Sequence, residues 1–491
     1  MPVISIKNLS FSHRAAAAPL FDNLSLNLDA SWRLGLVGRN GKGKTTLLRL
    51  LLGELEYEGK IESALRFAYF PRPVPNPQLS AYELFDLENE PYERWRLEIE
   101  AEQLGLSTER LAQPFVNLSK GEQTKAQLAL LFVRDDEFML IDEPTNHLDA
   151  DARRQVAQYL RSKSGFILVS HDRDFLDECI DHVLVLNRSK ITLEAGNYSS
   201  WFENKRKRDD FERAENEKLK KQIAKLDRQA KQKADWANRV EASKYHPTER
   251  GFFDRGYIGA RSAKMMKGAV IAQRNKLQAI DEKTSLLKDV EEIKDLRLTP
   301  LKNRRGHLID VMDLSLSFGD KQILHGVNFA VEDGDRVRLK GRNGCGKTTL
   351  LRLLLGEPLE YSGKLIVPSG LKISYLPQDT SGVRGSLPDF IAQNDLDSKS
   401  FLALLRRLDF EHATFSNRLE DMSEGQKKKL LIAKSLSQPA NIYIWDEPLN
   451  YIDIFSRQQI ERLLREYRPT LIFVEHDEHF AESIATKVVK L

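Results

Sequence analysis

The chain has 491 residues, 41% of them apolar, with a formal net charge of +3 and two cysteines, Cys179 and Cys345. That length holds about two to four domains, and the cysteine count excludes both a disulfide scaffold and a cysteine-built metal centre. No run approaches 18 uncharged apolar residues, which excludes a membrane-spanning helix; MPVISIKNLSF lacks the basic flank and apolar core of a secretory signal, so a soluble cytoplasmic protein is expected.

The first segment, VISIKNLSF, alternates like a half-buried strand. RLGLVG then reads as a buried strand running into GRNGKGKTTLLRLLLG at Gly38. The spacing GxxxxGK[ST] is that of a phosphate-binding loop: Gly38, Asn40, Gly41 and Gly43 let backbone N–H groups wrap phosphates, Lys44 reaches β and γ oxygens, and Thr45, followed by Thr46, offers a hydroxyl to Mg²⁺. Further on, FMLIDEP places Asp142 and Glu143 at the end of an apolar strand. Asp142 is the candidate Mg²⁺ partner and Glu143 the candidate to polarise an attacking water. LVSHD ends another strand at His171, a candidate γ-phosphate sensor.

From Glu203 to Ser243 the chain has no Pro or Gly and is rich in good helix formers. Leu219, Ile223, Leu226, Ala230, Ala234, Ala237 and Val240 recur at three- and four-residue steps, a narrow apolar stripe. A second run from Ser262 to Leu296 supplies Met266, Ala269, Ile280, Leu287, Val290 and Ile293 for a facing stripe. The expected element is an antiparallel coiled hairpin over 199–306, reaching roughly 60 Å at about 1.5 Å per residue. Its tip, near 244–260, gathers Pro247, Gly251, Gly256 and Gly259 with Tyr245, Phe252, Phe253 and Tyr257. Residues 203–296 hold 24 Lys or Arg against 17 Asp or Glu, so the modest overall charge conceals a basic hairpin. Positive charge addresses phosphates and ring faces stack on exposed bases, a combination suited to RNA.

After the hairpin the first half returns. LIDVMDLSLSF precedes RVRLKG, and GRNGCGKTTLLRLLLG begins at Gly341, 303 residues after its counterpart. This second loop offers Gly341, Asn343, Gly344, Gly346, Lys347, Thr348 and Thr349. IYIWDEP gives Asp446 and Glu447, and FVEHD gives His476. LSKGEQTK at Leu118 is echoed by MSEGQKKK at Met422. Motifs recurring in one order at nearly constant spacing make the chain two homologous α/β ATPase domains with mostly parallel sheets, 1–198 and 307–491.

LSKGEQTK and MSEGQKKK resemble the signature motif of ATP-binding cassette proteins. In that family the signature caps the nucleotide held by the opposite cassette of a head-to-tail pair. The resemblance implies that Ser423 and Gly425 close the site built on Lys44, and Ser119 and Gly121 the site built on Lys347. It assigns Asp149 and Asp453 to the D-loop, and Gln378 in YLPQD to sensing Mg²⁺ and the attacking water. The first half has YFPR, so Arg72 replaces that glutamine and the equivalence of the two sites is in question. Phe11 and Phe318 are candidates to stack on adenine, with packing in the core as the competing reading.

The whole chain resembles the ABC-F proteins, soluble twin cassettes that bind the ribosome's tRNA exit site with the linker directed at the peptidyl-transferase centre. Its long ring-bearing tip, IGARSAKMMK, WDEPLNYIDI with Tyr451 where His147 stands in the first half, and the lack of a large arm in the first cassette are similar to the antibiotic-resistance branch, the Lsa- and Vga-like target-protection proteins. That likeness implies ATP and Mg²⁺ as cofactors and the 70S ribosome as partner, through the E site, 23S rRNA near the peptidyl-transferase centre and P-site tRNA. It implies a monomer with an intramolecular cassette pair, no membrane subunit, and protection against lincosamides, streptogramins A and pleuromutilins. A housekeeping translation factor of the same family shares every catalytic residue. An energiser of a transporter and a DNA-maintenance ATPase fit the linker and the two isolated cysteines less well.

Overall fold

The computed structural model describes residues 2–12, 19–87, 93–134, 136–146, 148–186, 191–242, 296–302, 306–319, 321–410, 414–415 and 417–491. The chain divides into two compact units, Met1–Trp201 with Ile293–Leu491, and Phe202–Glu292.

In the first cassette, β1 (Val3–Phe11), β2 (Phe21–Asp29) and β4 (Glu58–Glu62) form an antiparallel sheet in the order β2-β1-β4. A second sheet holds β3 (Arg33–Gly38), β5 (Arg66–Phe70), β6 (Glu137–Asp142), β7 (Phe166–Val169), β8 (His182–Leu186) and β9 (Ile191–Ala195), ordered β5-β6-β7-β3-β8-β9. All its pairings are parallel except β8 with β9. The apolar runs of β6 and β7 are buried through their length, as strands covered on both faces must be. The helix Lys44–Leu51 buries Leu47, Leu48, Leu50 and Leu51 in the same core as Ile4, Leu34 and Ile167.

The second cassette repeats this. β10 (His307–Phe318), β11 (Lys321–Glu332) and β13 (Ser362–Ile366) pair as β11-β10-β13. β12 (Arg336–Lys340), β14 (Ile373–Leu376), β15 (Ile442–Asp446), β16 (Leu471–Val474) and β17 (Lys487–Lys490) follow the order β14-β15-β16-β12-β17. One strand departs in composition: Arg338 and Lys340 of β12 stand where β3 has Gly35 and Val37. Arg338 is 4% exposed, and both cations pair with Glu478, Arg338 at 2.6 Å and Lys340 at 3.1 Å.

The linker's first helix runs from Tyr198 to Ala242, 45 residues, or about 68 Å at 1.5 Å per residue. Tyr198 and Trp201 at its start are buried. The expected second helix and the tip with Tyr245, Phe252, Phe253 and Tyr257 lie outside the described residues. At the linker's far end, Leu296 and Leu298 are buried in the second cassette's core with Met422, Leu430 and Leu431. Leu301 N–H donates to Ala440 O at 2.8 Å. These residues were expected in the linker, but their apolar side chains complete the second cassette's helical lobe.

Candidate active sites

The order β6-β7-β3 sets three strand ends side by side at the carboxyl edge of the sheet, where ligands of open parallel sheets bind. Register does the rest. Asp142 pairs with Val169 and Asp446 with Val474, so each acid sits level with a residue two places before His171 or His476. Thr45 Oγ1 donates to Asp142 Oδ2 at 2.8 Å, and Thr348 Oγ1 to Asp446 Oδ2 at 2.9 Å. Lys44 Nζ lies 2.7 Å from Gly38 O, and Lys347 Nζ 2.7 Å from Gly341 O. Gly43 begins the loop helix at φ 92°, and a Cβ there would come within 2.9 Å of Leu20; only glycine meets both demands.

Each hydroxyl–carboxylate pair is an oxygen donor set of the kind a hard divalent cation takes beside a phosphate. Asp446 Oδ1 is buried with no hydrogen-bond partner, which fits a cation or its water. Thr45 with Asp142, and Thr348 with Asp446, are therefore the candidates to hold Mg²⁺, whereas the amide of Gln378, expected beside them, donates to Glu447.

Both candidate water-activating glutamates have left-handed backbones, φ 53° at Glu143 and 47° at Glu447. His171 Nε2 lies 3.3 Å from Glu143 Oε1, and His476 Nε2 3.5 Å from Glu447 Oε1. Beyond that the two differ. Glu447 Oε2 accepts from Gln378 Nε2 at 2.7 Å and Asn450 Nδ2 at 2.6 Å. Burial on its own would raise its pKa, but His476, Gln378 and Asn450 together outweigh burial and hold the carboxyl below the usual range. Glu143 Oε1 is buried without a hydrogen bond. Burial, reinforced by the charge of Asp142, pushes its carboxyl up to about 8. Arg72, at the glutamine position, is exposed, and its N–H donates to Gln127 Oε1 at 3.2 Å. His171 is buried, and burial together with Lys44 and Arg457 depresses its basicity well below the ordinary value.

The structure also brings each signature to the opposite cassette's loop. A cavity of about 780 Å³ is lined by Ser119, Gly121 and Asp149 from the first cassette and by Asn343, Gly344, Gly346, Lys347, Thr348, Thr349, Gln378, Glu447 and His476 from the second. On the other side, Asn40 Nδ2 donates to Tyr451 O at 2.9 Å. A Cβ on Gly425 would approach that oxygen to 2.7 Å and Asn40 Nδ2 to 2.8 Å. Arg39 pairs with Asp409 and lies 5.5 Å from the centre of the Phe455 ring. Ser119 and Ser423 cap their helices, each in a reciprocal box with the residue three places on, which aims N–H dipoles at the facing loop.

The two candidate adenine rings part company. Phe11 packs on the first core, whereas Phe318 is 53% exposed. His147 lies outside the described residues. Three polar partners were missed from sequence. Tyr69 OH donates to Asp142 Oδ2 at 3.1 Å, Asn450 holds Glu447, and Lys428 is buried among backbone carbonyls. Tyr69 recurs as Tyr375 and Asn450 matches Asn146, so the internal repeat carried a signal for both.

A family model described as ABC transporter matches residues 21–146 and 324–450. A second, described as a nuclease-related domain, matches 148–249; the part of that range up to Ala195 supplies β7, β8 and β9 to the first cassette's sheet. The ribosome protection protein VmlR of Bacillus subtilis is 28% identical, covering 98% of this chain and 85% of its own length. The ATP-binding protein Uup of Buchnera aphidicola is 28% identical with 99% and 80% covered. The probable ATP-binding protein YheS of Escherichia coli K12 is 27% identical with 96% and 76% covered. Among solved structures, the archaeal ribosome recycling factor aABCE1, in complex with a ribosomal stalk protein, superposes with a TM-score of 0.61 at 19% identity, with 98% of this chain and 87% of that one covered. A model of ribosome-bound archaeal Pelota and ABCE1 gives 0.63 at 21%, with 98% and 76% covered.

Proposed function

The chain belongs to the ABC transporter family, as a twin-cassette ATPase of the ABC-F group, and from that premise we propose that it binds the ribosome in its ATP form and protects it from antibiotics of the peptidyl-transferase centre. The observation that carries the ATP-dependent part is the reciprocal seating of each signature on the opposite phosphate loop, Gly425 against Asn40 and Ser119 with Lys347 around one cavity. Nucleotide placed between such faces is bound by both cassettes, so binding favours closure and hydrolysis favours release. In this reading Lys44 and Lys347 neutralise phosphate charge, Thr45, Asp142, Thr348 and Asp446 hold Mg²⁺, and Glu143 and Glu447 orient water. The bound metal would neutralise the β and γ oxygens.

The ribosomal part draws on the likeness to VmlR over 98% of the chain and on the basic linker. The closed protein occupies the tRNA exit site, the hairpin shifts the end of the P-site tRNA, and the tip near Phe252, Phe253 and Tyr257 approaches the drug-binding rRNA. Lincosamides, streptogramins A and pleuromutilins are the expected drugs. A second reading, a housekeeping translation factor of the same group, draws on the nearly equal identity, 27% to 28%, to relatives whose names carry only ATP binding.

A Glu143→Gln, Glu447→Gln double variant is expected to sediment with 70S ribosomes in ATP and to stay free in ADP. A variant free in both nucleotides overturns ribosome binding. Trapping without any change in drug susceptibility on expression of the wild-type gene favours the housekeeping reading.

A further inference from the structure

Lys428 is one of the largest fully buried side chains, 1% exposed. It lies on the helix Glu424–Ser437, five residues after Ser423. Its ammonium reaches Pro377 O at 2.8 Å, Asp446 O at 3.2 Å and Gln378 O at 3.3 Å. The first two bracket the second nucleotide site, one before Gln378 and one at the strand end that carries Asp446 and Glu447. The next residue, Lys429, grips Asp453 Oδ2 at 2.7 Å, with both partners buried. The same helix begins with the signature that faces Asn40 of the first site.

The matching residue of the first cassette is Thr124. Its hydroxyl donates to Lys120 O of its own helix at 3.1 Å, and the loop at Arg72 is tied by Gln127 instead. A cassette therefore folds without a cation at this position. A buried ammonium is costly unless its donors are matched, and charge-assisted bonds of this kind hold their acceptors more firmly than neutral ones.

The geometry points to Lys428 as a positioning residue that couples the two ATP sites: from the helix that closes the first site, it fixes the Gln378 loop and the Asp446 strand end of the second. It touches no nucleotide. It acts through Gln378 and Glu447, whose 2.7 Å contact depends on where that loop sits. The inference rests on the assignment of Glu447 and Glu143 as the two water-activating groups.

The test uses full-length protein with one site silenced. In a Glu143→Gln background, Lys428→Thr (the first cassette's own residue) is expected to lower kcat at least tenfold while KM for ATP changes less than threefold. Lys428→Arg should recover part of the loss. In a Glu447→Gln background, Lys428→Thr should raise KM at the first site severalfold, because the signature helix has lost its anchor. Melting temperature is followed throughout. A kcat within twofold of the parent in the first background overturns the proposal. So does a loss that follows the melting temperature and that arginine does not relieve. If the Glu143→Gln, Glu447→Gln pair hydrolyses ATP like the wild type, the assignment of the glutamates fails instead.

Discussion

Gln378 Nε2 donates to Glu447 Oε2 at 2.7 Å, and the residue standing at the matching place in the first cassette is Arg72, whose side chain is exposed. A carboxylate held by a neighbouring amide is oriented before substrate arrives, and orientation of this kind contributes about a hundredfold or more to rate. The two sites should therefore turn over unequally. Glu447→Gln is expected to remove at least about tenfold more steady-state ATPase than Glu143→Gln. Equal losses would show that the Gln378 contact is without kinetic weight.

Gly425 leaves no room for a side chain between the second signature and the first loop. Gly425→Ala places a methyl against Asn40 of the first loop and against Tyr451 O of its own cassette, so it should hinder closure, with melting temperature reporting any strain inside the cassette. Displacing reacting groups by about 1 Å costs on the order of a hundredfold. Turnover at the first site, read in a Glu447→Gln background, should fall by about that much with the melting temperature unchanged. A large fall in melting temperature would place the damage in the fold.

The Arg338–Glu478 pair gives a pH dependence. Hydrogen bonding from Arg338 is the largest influence on Glu478, which is pulled down to about 2 despite some burial. A carboxyl depressed in the folded state stabilises it above the unfolded value, near 4.5, and that stabilisation is lost as pH falls through about 2. Glu478→Gln leaves Arg338 buried without its counter-charge and is expected to cost about 2 kcal/mol at pH 7. The gap between wild type and variant in chemical denaturation should close between pH 4.5 and 2. A gap constant over that window would mean that the pair contributes no charge-dependent stability.

The segment around Phe252 and Phe253, proposed above as the linker's tip, offers a test of the ribosomal proposal that is separate from the ATP sites. Phe252→Ala and Phe253→Ala are expected to reduce drug protection in cells at least fourfold, as read by minimal inhibitory concentration. Stacking of a ring on a base accounts for about 1–3 kcal/mol. ATP hydrolysis and ribosome sedimentation should survive. If the same variants instead melt earlier and protect normally, the rings serve the turn.

The duplicated cassettes were legible because a loop, a signature and two strand ends recur at 303 to 305 residues, and short motifs of that kind need only local order. The strand order was not written in any one motif. What the motifs left out are partners that register alone selects. Tyr69 meets Asp142 only because β5 lies beside β6, and Asn450 meets Glu447 because the chain turns sharply after a left-handed glutamate. Lys428 stands in a run of three lysines to which no motif assigns a partner, yet the helix buries it. Leu296 and Leu298 read as linker because the charged composition before them runs on without a break, but apolar side chains beside an existing core join it.

The left-handed backbones of Glu143 and Glu447 bear on how the two halves have drifted. A non-glycine residue in that region carries on the order of 1 kcal/mol of strain, and glycine would relieve it. Any half freed from hydrolysis has, at that one position, a replacement that makes it sturdier. The halves have diverged at Gly35 and Arg338, at Arg72 and Gln378, and at Thr124 and Lys428, but neither has taken the easier residue. Glutamate at both positions is what two working sites require, so the first site is expected to act as a slow timer beside a faster partner, which the ATPase left in a Glu447→Gln variant checks.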